Sequence, residues 1–230
     1  KPSIGTLFGD DLEAVAALQP DLIIGGSRTL KVYDDLNGIA PTVWFSIPGM
    51  GTPYEEKLYS NIRFIAELFN VQEQAEDEIS KIKSQFTTVK ETISRLENPT
   101  ALFLQITGKT IGAYSDDPES RYGFVFHEFG FKTPASLDEI KNNAAAHGDS
   151  VSYEFINAKN PNYLIVLDRG AATGETGSEA SDTLDNPLVA ETDAVKNNHV
   201  IYLDGSSWYL STGGIQSTYL MIENLISQLK

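Results

Sequence analysis

Two arginines follow matching segments of the chain and could together bind an anion. Residues 12–24 align without a gap to residues 153–165, and each copy is typical of a helix, a break at proline and an apolar strand. Arg28 and Arg169 stand at the same offset after the two copies. Because ligands of open α/β sheets bind beyond the carboxyl ends of strands, we expect both guanidinium groups to enter one cleft. The alternative is that each arginine pairs with a nearby carboxylate such as Asp168.

The charge balance favours an anionic ligand for these arginines. The 230-residue chain has five arginines, 32 acidic side chains and a formal net charge of −15. A local positive cleft in such an acidic chain predicts an anion as ligand. The net charge argues against nucleic acid and against an anionic membrane surface as partners. The chain has no cysteine, so it has neither disulfide nor thiolate chemistry.

Four other side chains are candidates for the same cleft. Arg121 begins a predicted helix that should lie near it, although a surface arginine is the alternative. Trp208 and Tyr209 follow a predicted strand and a glycine turn and could line a cleft, although core packing is equally expected. His147 lies in a loop of small residues, which can present an imidazole to a ligand or a metal. An ordinary exposed histidine is the alternative for His147.

Catalytic motifs are scarce in the sequence. The three histidines lack metal-ligand spacing, so an all-protein zinc site is not expected. The chain has no G-x-S-x-G nucleophile motif, no phosphate-binding P-loop and no dinucleotide-binding glycine motif. We therefore expect a binding protein without an intrinsic cofactor rather than an enzyme.

One long amphipathic helix, over residues 70–97, separates the two copies of the repeat. Its stripe of apolar residues has helical spacing, and it comprises Val71, Ala75, Ile79, Ile82, Phe86, Val89, Ile93 and Leu96. Asn70 and Glu73 fit a capping box at its start, and Pro99 stops it. We interpret the helix as a rigid connection between two lobes, and a coiled-coil arm is the alternative.

Strands alternate with helices on both sides of this helix, which predicts an α/β fold with mostly parallel sheets. The predicted domains are an N-terminal lobe over residues 1–69, a connecting helix over 70–98 and a C-terminal lobe over 99–230. Residues 99–152 precede the second copy of the repeat, whereas only residues 1–11 precede the first. We therefore expect the first lobe to lack its opening strand and helix.

Local patterns predict four further features. Asp10 or Asp11 could cap a short helix that continues to Leu18. Residues 25–28 are expected to form a flexible turn. Residues 107–120, which are rich in glycine, and residues 170–182 are expected to form loops.

The chain resembles the periplasmic siderophore-binding proteins of iron-uptake ABC transporters, and it looks most similar to the catecholate branch of enterobactin- and petrobactin-type binders. The resemblance is carried by the order and spacing of residues 18–24 with Arg28, 33–36, 40–42, 120–123, 147–150, 160–163, 168–169, 184–186, 201–204 and 208–210. It implies the class III architecture of two α/β lobes joined by one long helix. Members of this family carry a further strand and helix before the position of Lys1.

The resemblance also implies roles for the candidate residues. Arg28, Arg121 and Arg169 would hold a trianionic ferric catecholate, with Trp208 in the same site. His147 and Tyr209 would complete the iron shell when the siderophore supplies too few donors, which suits the preference of Fe(III) for hard ligands. The protein would be a monomer in the periplasm, or lipid-anchored at the outer face of the cell membrane. It would deliver its cargo to an inner-membrane ABC permease.

Three other interpretations remain open from the sequence. The same fold could bind haem, cobalamin or a hydroxamate siderophore. A related two-lobed architecture could belong to a metal-dependent enzyme subunit, although the absence of cysteine argues against iron–sulfur clusters. The long helix could also make the chain a module for protein interactions.

Overall fold

The computed structural model describes residues 2–6, 9–49, 51–136, 138–140, 148–175 and 179–229. The chain forms two compact units, Lys1–Ile47 and Pro48–Lys230. This division differs from the predicted segmentation at residues 69 and 98, because the two long helices after residue 53 pack into the core of the second unit. Among the described residues, no helix combines the length and the apolar content needed to cross a bilayer.

The first unit contains two small sheets with helices beside them. Its elements are β1 (Gly5–Thr6), β2 (Gly9–Asp10), α1 (Leu12–Ala17), β3 (Ile23–Gly26), a 3₁₀ helix (Ser27–Val32), α2 (Tyr33–Ile39) and β4 (Thr42–Phe45). The Asp11 carboxylate accepts a hydrogen bond from the Ala14 amide at 2.9 Å, so the predicted helix start is confirmed. The predicted turn at Gly25 and Gly26 is wrong, because both glycines pair with β4 in a parallel ladder.

Two long helices begin the second unit, α3 (Tyr54–Phe69) and α4 (Gln72–Ser94). The prediction that Asn70 caps the long helix is wrong. Asn70 instead ends α3 in the left-handed conformation at φ 54°, which asparagine tolerates better than most residues. Val71 occupies the N-cap position of α4, and its side chain makes no capping hydrogen bond.

The apolar stripe of α4 is buried within the chain. Ala75, Ile79, Ile82, Phe86, Val89 and Ile93 are all buried in one hydrophobic cluster. Helix α4 packs against α3 and against the last helix, α11 (Ile215–Ile226). This packing contradicts the coiled-coil arm, because the stripe already has its partners inside the chain.

A five-stranded sheet forms the centre of the second unit. Its strands are β5 (Ala101–Thr107), β6 (Thr110–Tyr114), β7 (Asp149–Ser150), β8 (Tyr163–Asp168) and β9 (Val200–Leu203), in the order β7-β6-β5-β8-β9. Strands β5, β8 and β9 are parallel, as predicted, whereas β6 and β7 are antiparallel. Strand β6 was expected to be loop because of its glycines, but it pairs with β5 across the tight turn at Gly108.

Short helices and a π-helical turn surround this sheet. They are α5 (Phe124–His127), α6 (Tyr153–Lys159), α7 (Arg169–Thr173), α8 (Ala180–Leu184), α9 (Pro187–Ala190), α10 (Asp193–Lys196) and the π-helical turn Ser206–Leu210. The prediction of a surface loop over residues 170–182 is wrong for α7 and α8. Asp168 holds both helices, because its two carboxylate oxygens accept hydrogen bonds from the amides of Ala171 and Ala180, each at 2.8 Å.

Candidate functional site

Arg169 lies at the edge of the sheet where two parallel strands end. It directly follows β8, the neighbour of β9 in the sheet. The Nε atom of Arg169 donates a hydrogen bond to the Tyr209 phenolic oxygen at 2.9 Å, and Nη1 forms an ion pair with Glu175 at 2.8 Å. Burial alone lowers the pKa of the guanidinium, but Tyr209 and Glu175 outweigh this effect and raise the pKa. The alternative pairing of Arg169 with Asp168 is therefore not the observed one.

Tyr209 is positioned by the π-helical turn that follows β9. Asp204 anchors this turn, because its carboxylate accepts hydrogen bonds from the Ser207 hydroxyl at 2.7 Å and the Ser207 amide at 2.8 Å. The hydrogen bond from the Ser207 hydroxyl is the main cause that lowers the pKa of Asp204, and burial opposes it. Tyr209 is 7% exposed, so the turn presents little more than an edge of the side chain to solvent.

Arg121 also contacts Tyr209. Its guanidinium carbon is 4.3 Å from the centroid of the Tyr209 ring, and its Nη2 atom donates to the Tyr209 carbonyl oxygen at 3.1 Å. The guanidinium carbon of Arg169 is 5.7 Å from the same centroid. The structure thus brings together three of the predicted site residues, with one aromatic ring contacted by two cations.

The Nε atom of Arg121 is buried and has no hydrogen-bond partner within the part of the chain that the structure describes. A buried donor without a partner costs about 1–3 kcal/mol, so such groups are uncommon in folded proteins. The position of Arg121 is therefore not explained by stability alone, which is typical of residues kept for binding.

Trp208 packs in the core beneath this group. It is 0% exposed, its ring stacks on Phe124 at 5.9 Å between centroids, and it lies 6.2 Å from Phe103. The Tyr122 hydroxyl donates to the Trp208 carbonyl oxygen at 3.2 Å. The indole is buried in the core, as the core-packing alternative expects, and contact of Trp208 with a ligand stays a prediction.

A pocket of 270 Å³ opens beside Arg169. The residues that line it are Gln105, Thr107, Thr110, Gly112 and Arg169. Threonine hydroxyls and an amide can donate to and accept from a polar ligand, while the guanidinium supplies the positive charge. Sequence reasoning did not identify the pocket residues Thr110 and Gly112, because it interpreted the segment of β6 as a loop.

The roles expected of Arg28 and His147 stay predictions. Arg28 lies in the 3₁₀ helix of the first unit and is exposed. His147 falls outside the described residues. Within the described ranges no group of three or more His, Cys, Asp or Glu side chains could hold a metal ion. The parts of His147 and Tyr209 in an iron shell thus stay predictions.

Sequence reasoning did not identify Glu175 as the partner of Arg169, and it did not identify Asp168 as a helix cap. The Thr173 hydroxyl and the Arg169 Nη1 atom both donate to the same Glu175 oxygen, at 3.1 and 2.8 Å. No motif marks Glu175 in the sequence. The helix cap at Asp168 could have been recognised, because an aspartate that follows an apolar strand is a common start of a helix.

Comparisons with known proteins agree with this fold. A family model described as periplasmic binding protein matches residues 1–206. The petrobactin-binding protein YclQ of Bacillus subtilis (strain 168) is 39% identical over 222 residues, which cover 96% of this chain and 67% of YclQ. The ferric-anguibactin-binding protein FatB of Vibrio anguillarum is 31% identical over 226 residues, which cover 97% of this chain and 68% of FatB.

Solved structures show the same relationship. The crystal structure of YclQ gives a TM-score of 0.90 at 37% identity and covers 99% of this chain and 76% of that chain. The periplasmic catecholate-siderophore binding protein VctP from Vibrio cholerae gives a TM-score of 0.86 at 30% identity, covering 98% of this chain and 78% of that chain. The predicted family and the predicted α/β, class III-like fold are confirmed. The chain belongs to the periplasmic binding protein family.

Proposed function

We propose that the protein captures a ferric catecholate siderophore and delivers it to an ABC permease of an iron-uptake system. The observation that carries this proposal is the contact of both Arg121 and Arg169 with Tyr209. This arrangement places two permanent positive charges beside one tyrosine in a chain of formal net charge −15. The matching relatives named for petrobactin and anguibactin support the same class of ligand.

The chemistry of the group suits a multiply charged iron chelate. A ferric tris-catecholate carries its negative charge on oxygens, and guanidinium N–H groups donate to such oxygens more strongly than neutral donors do. Fe(III) favours phenolate and catecholate oxygens, so the Tyr209 oxygen is suited to an iron that its chelator leaves incompletely coordinated. The threonine-lined pocket beside Arg169 adds neutral hydrogen-bonding groups for the body of the chelator.

The finer parts of the proposal rest on the sequence. Arg28 contributes a further guanidinium to ligand binding, and His147 supplies a neutral nitrogen for a tetradentate siderophore. The protein acts in the periplasm or attached to the outer face of the cell membrane, and it catalyses no reaction. The names of matching relatives, which include periplasmic proteins and a lipoprotein, support this location.

Intrinsic tryptophan fluorescence tests the proposal. The chain has two tryptophans, and Trp208 directly precedes Tyr209 in the π-helical turn. Ferric enterobactin is expected to quench this fluorescence with a dissociation constant of about 1 μM or below. Ferrioxamine, haem and cobalamin serve as comparison ligands. No quenching by ferric enterobactin at micromolar concentration, or tighter binding of a comparison ligand, would contradict the proposal.

A further inference from the structure

Arg169 holds an internal carboxylate at the edge of the proposed site. The Glu175 Oε1 atom accepts from Arg169 Nη1 at 2.8 Å and from the Thr173 hydroxyl at 3.1 Å. The backbone that leads into Glu175 is held by a hydrogen bond, because the Glu175 amide donates to the Gly170 carbonyl at 2.9 Å, and Gly174 adopts φ 74°. The ion pair therefore has a definite geometry.

The two partners of this ion pair differ in their freedom to move. The side chain of Arg169 is 11% exposed and that of Glu175 is 47% exposed. The Nε edge of Arg169 is held separately by Tyr209 at 2.9 Å. Loss of the Glu175 carboxylate therefore leaves the guanidinium in place, whereas Glu175 can leave the ion pair and enter water.

We propose that Glu175 is an intramolecular competitor, which occupies Arg169 until an anionic ligand displaces it. The identity of the ligand as a ferric catecholate rests on the proposed function, but the exchange of anions at Arg169 does not. The Glu175 carboxylate and the ligand oxygens compete for hydrogen bonds from the same Nη1 edge of the Arg169 guanidinium. Like charges at such short range repel, so Glu175 and a bound anion cannot share that edge without cost.

This competition makes charge a criterion for binding. A ligand of several negative charges replaces the Glu175 carboxylate with a stronger partner of Arg169, while a neutral ligand leaves the ion pair intact. Glu175 thereby weakens the binding of every anion, but it excludes weakly charged molecules most effectively from the pocket lined by Thr107 and Thr110.

The variant Glu175→Gln tests the proposal, with Glu179→Gln as the matched control. Glu179 has the same charge and is exposed, and its side chain does not cap α8. Two probes are titrated into each protein: ferric enterobactin by fluorescence and inorganic pyrophosphate by calorimetry. We expect Glu175→Gln to bind both probes about two- to tenfold tighter at low salt, with a smaller gain at about 0.15 M salt, where exposed charges are screened. Glu179→Gln should stay within about twofold of the unchanged protein for both probes.

Three results overturn the proposal. They are weaker binding of pyrophosphate by Glu175→Gln, unchanged binding of pyrophosphate, and an equal gain in Glu179→Gln. Weaker binding would instead make Glu175 a positioning residue for Arg169. If neither protein binds ferric enterobactin while Glu175→Gln binds pyrophosphate more tightly, the proposed function fails and the competition at Arg169 stands.

Discussion

The Nε atom of Arg169 donates a hydrogen bond to the phenolic oxygen of Tyr209 over 2.9 Å, although the two residues are 40 positions apart in the chain. The contact joins the segments that follow two neighbouring parallel strands, β8 and β9. Because Asp168 fixes the first segment and Asp204 fixes the second, both side chains are oriented before any ligand arrives. Such preorganisation lowers the entropy cost of binding.

Replacement of Arg169 by lysine tests the importance of guanidinium geometry. Arg169→Lys keeps the positive charge but loses the planar group that contacts Tyr209 and Glu175 on two edges. We expect the affinity for ferric enterobactin to fall by about ten- to hundredfold, which corresponds to one charged hydrogen bond of about 1.5–3 kcal/mol. Fluorescence titration of the variant with ferric enterobactin measures this affinity.

Arg63→Lys is the control for this variant. Arg63 pairs with Glu76 on an exposed surface of α3 and α4, where both side chains are about half exposed, at 48% and 54%. The affinity of the Arg63→Lys variant for ferric enterobactin should equal that of the unchanged protein. An equal loss of affinity in both variants would mean that the loss is not specific to the guanidinium group of Arg169.

Replacement of Tyr209 by phenylalanine separates the ring from its oxygen. Tyr209→Phe keeps the aromatic face that lies 4.3 Å from Arg121, but it removes the oxygen that can bind iron. We expect affinity for a tetradentate ferric bis-catecholate to fall more than about tenfold, while affinity for hexadentate ferric enterobactin falls less. The visible charge-transfer band of the bis-catecholate complex should also shift. An unshifted band would exclude Tyr209 as an iron ligand.

Replacement of Arg28 tests a role that comes from the sequence resemblance. Arg28→Gln removes the charge from the 3₁₀ helix of the first unit, and Lys31→Gln removes a charge from the same helix as the control. We expect only Arg28→Gln to lower the affinity for ferric enterobactin, by about tenfold or more. Equal behaviour of the two variants would remove Arg28 from the site.

Glu128 provides a prediction about stability and pH. Its Oε1 atom accepts from the Glu55 amide at 3.2 Å, and its Oε2 atom is buried with no partner among the described residues. Burial raises the pKa of Glu128 from 4.5 to about 7. The folded state therefore holds a proton that the unfolded state has lost, and stability decreases as pH rises from about 4.5 to 7.

The variant Glu128→Gln should remove this contribution. A difference of 2.5 pH units (7 − 4.5) corresponds to at most about 3 kcal/mol in the free energy of unfolding. We expect urea denaturation to show that Glu128→Gln gains stability over the unchanged protein at pH 8 and much less at pH 5. Glu56→Gln, at an exposed position of α3, is the control. A gain that is the same at both pH values would contradict the assigned pKa.

The sequence predicted the central elements because their patterns are local. The apolar run at Tyr163–Asp168 and the periodic stripe of α4 depend on near neighbours, so both were recognised. The repeat also brought attention to Arg169, since strand ends are where α/β proteins bind ligands.

The remaining features depend on contacts between distant residues. Strand β6 is stabilised by pairing with β5, and its glycines favoured the prediction of a loop. Trp208 is buried by Phe103 and Phe124, which are far away in the chain, so core packing and ligand contact could not be separated by sequence. The same is true of the Arg121–Tyr209 contact, which joins residues 88 positions apart.

The most direct measurement compares ferric enterobactin binding by the unchanged protein with binding by the double variant Arg121→Gln/Arg169→Gln. Both side chains contact Tyr209. We expect each to donate charged hydrogen bonds of about 1.5–3 kcal/mol to an anionic ligand. We expect submicromolar binding by the unchanged protein and a loss of at least about a hundredfold in the double variant, with its circular dichroism spectrum preserved. Binding by a folded double variant that equals that of the unchanged protein would contradict the account.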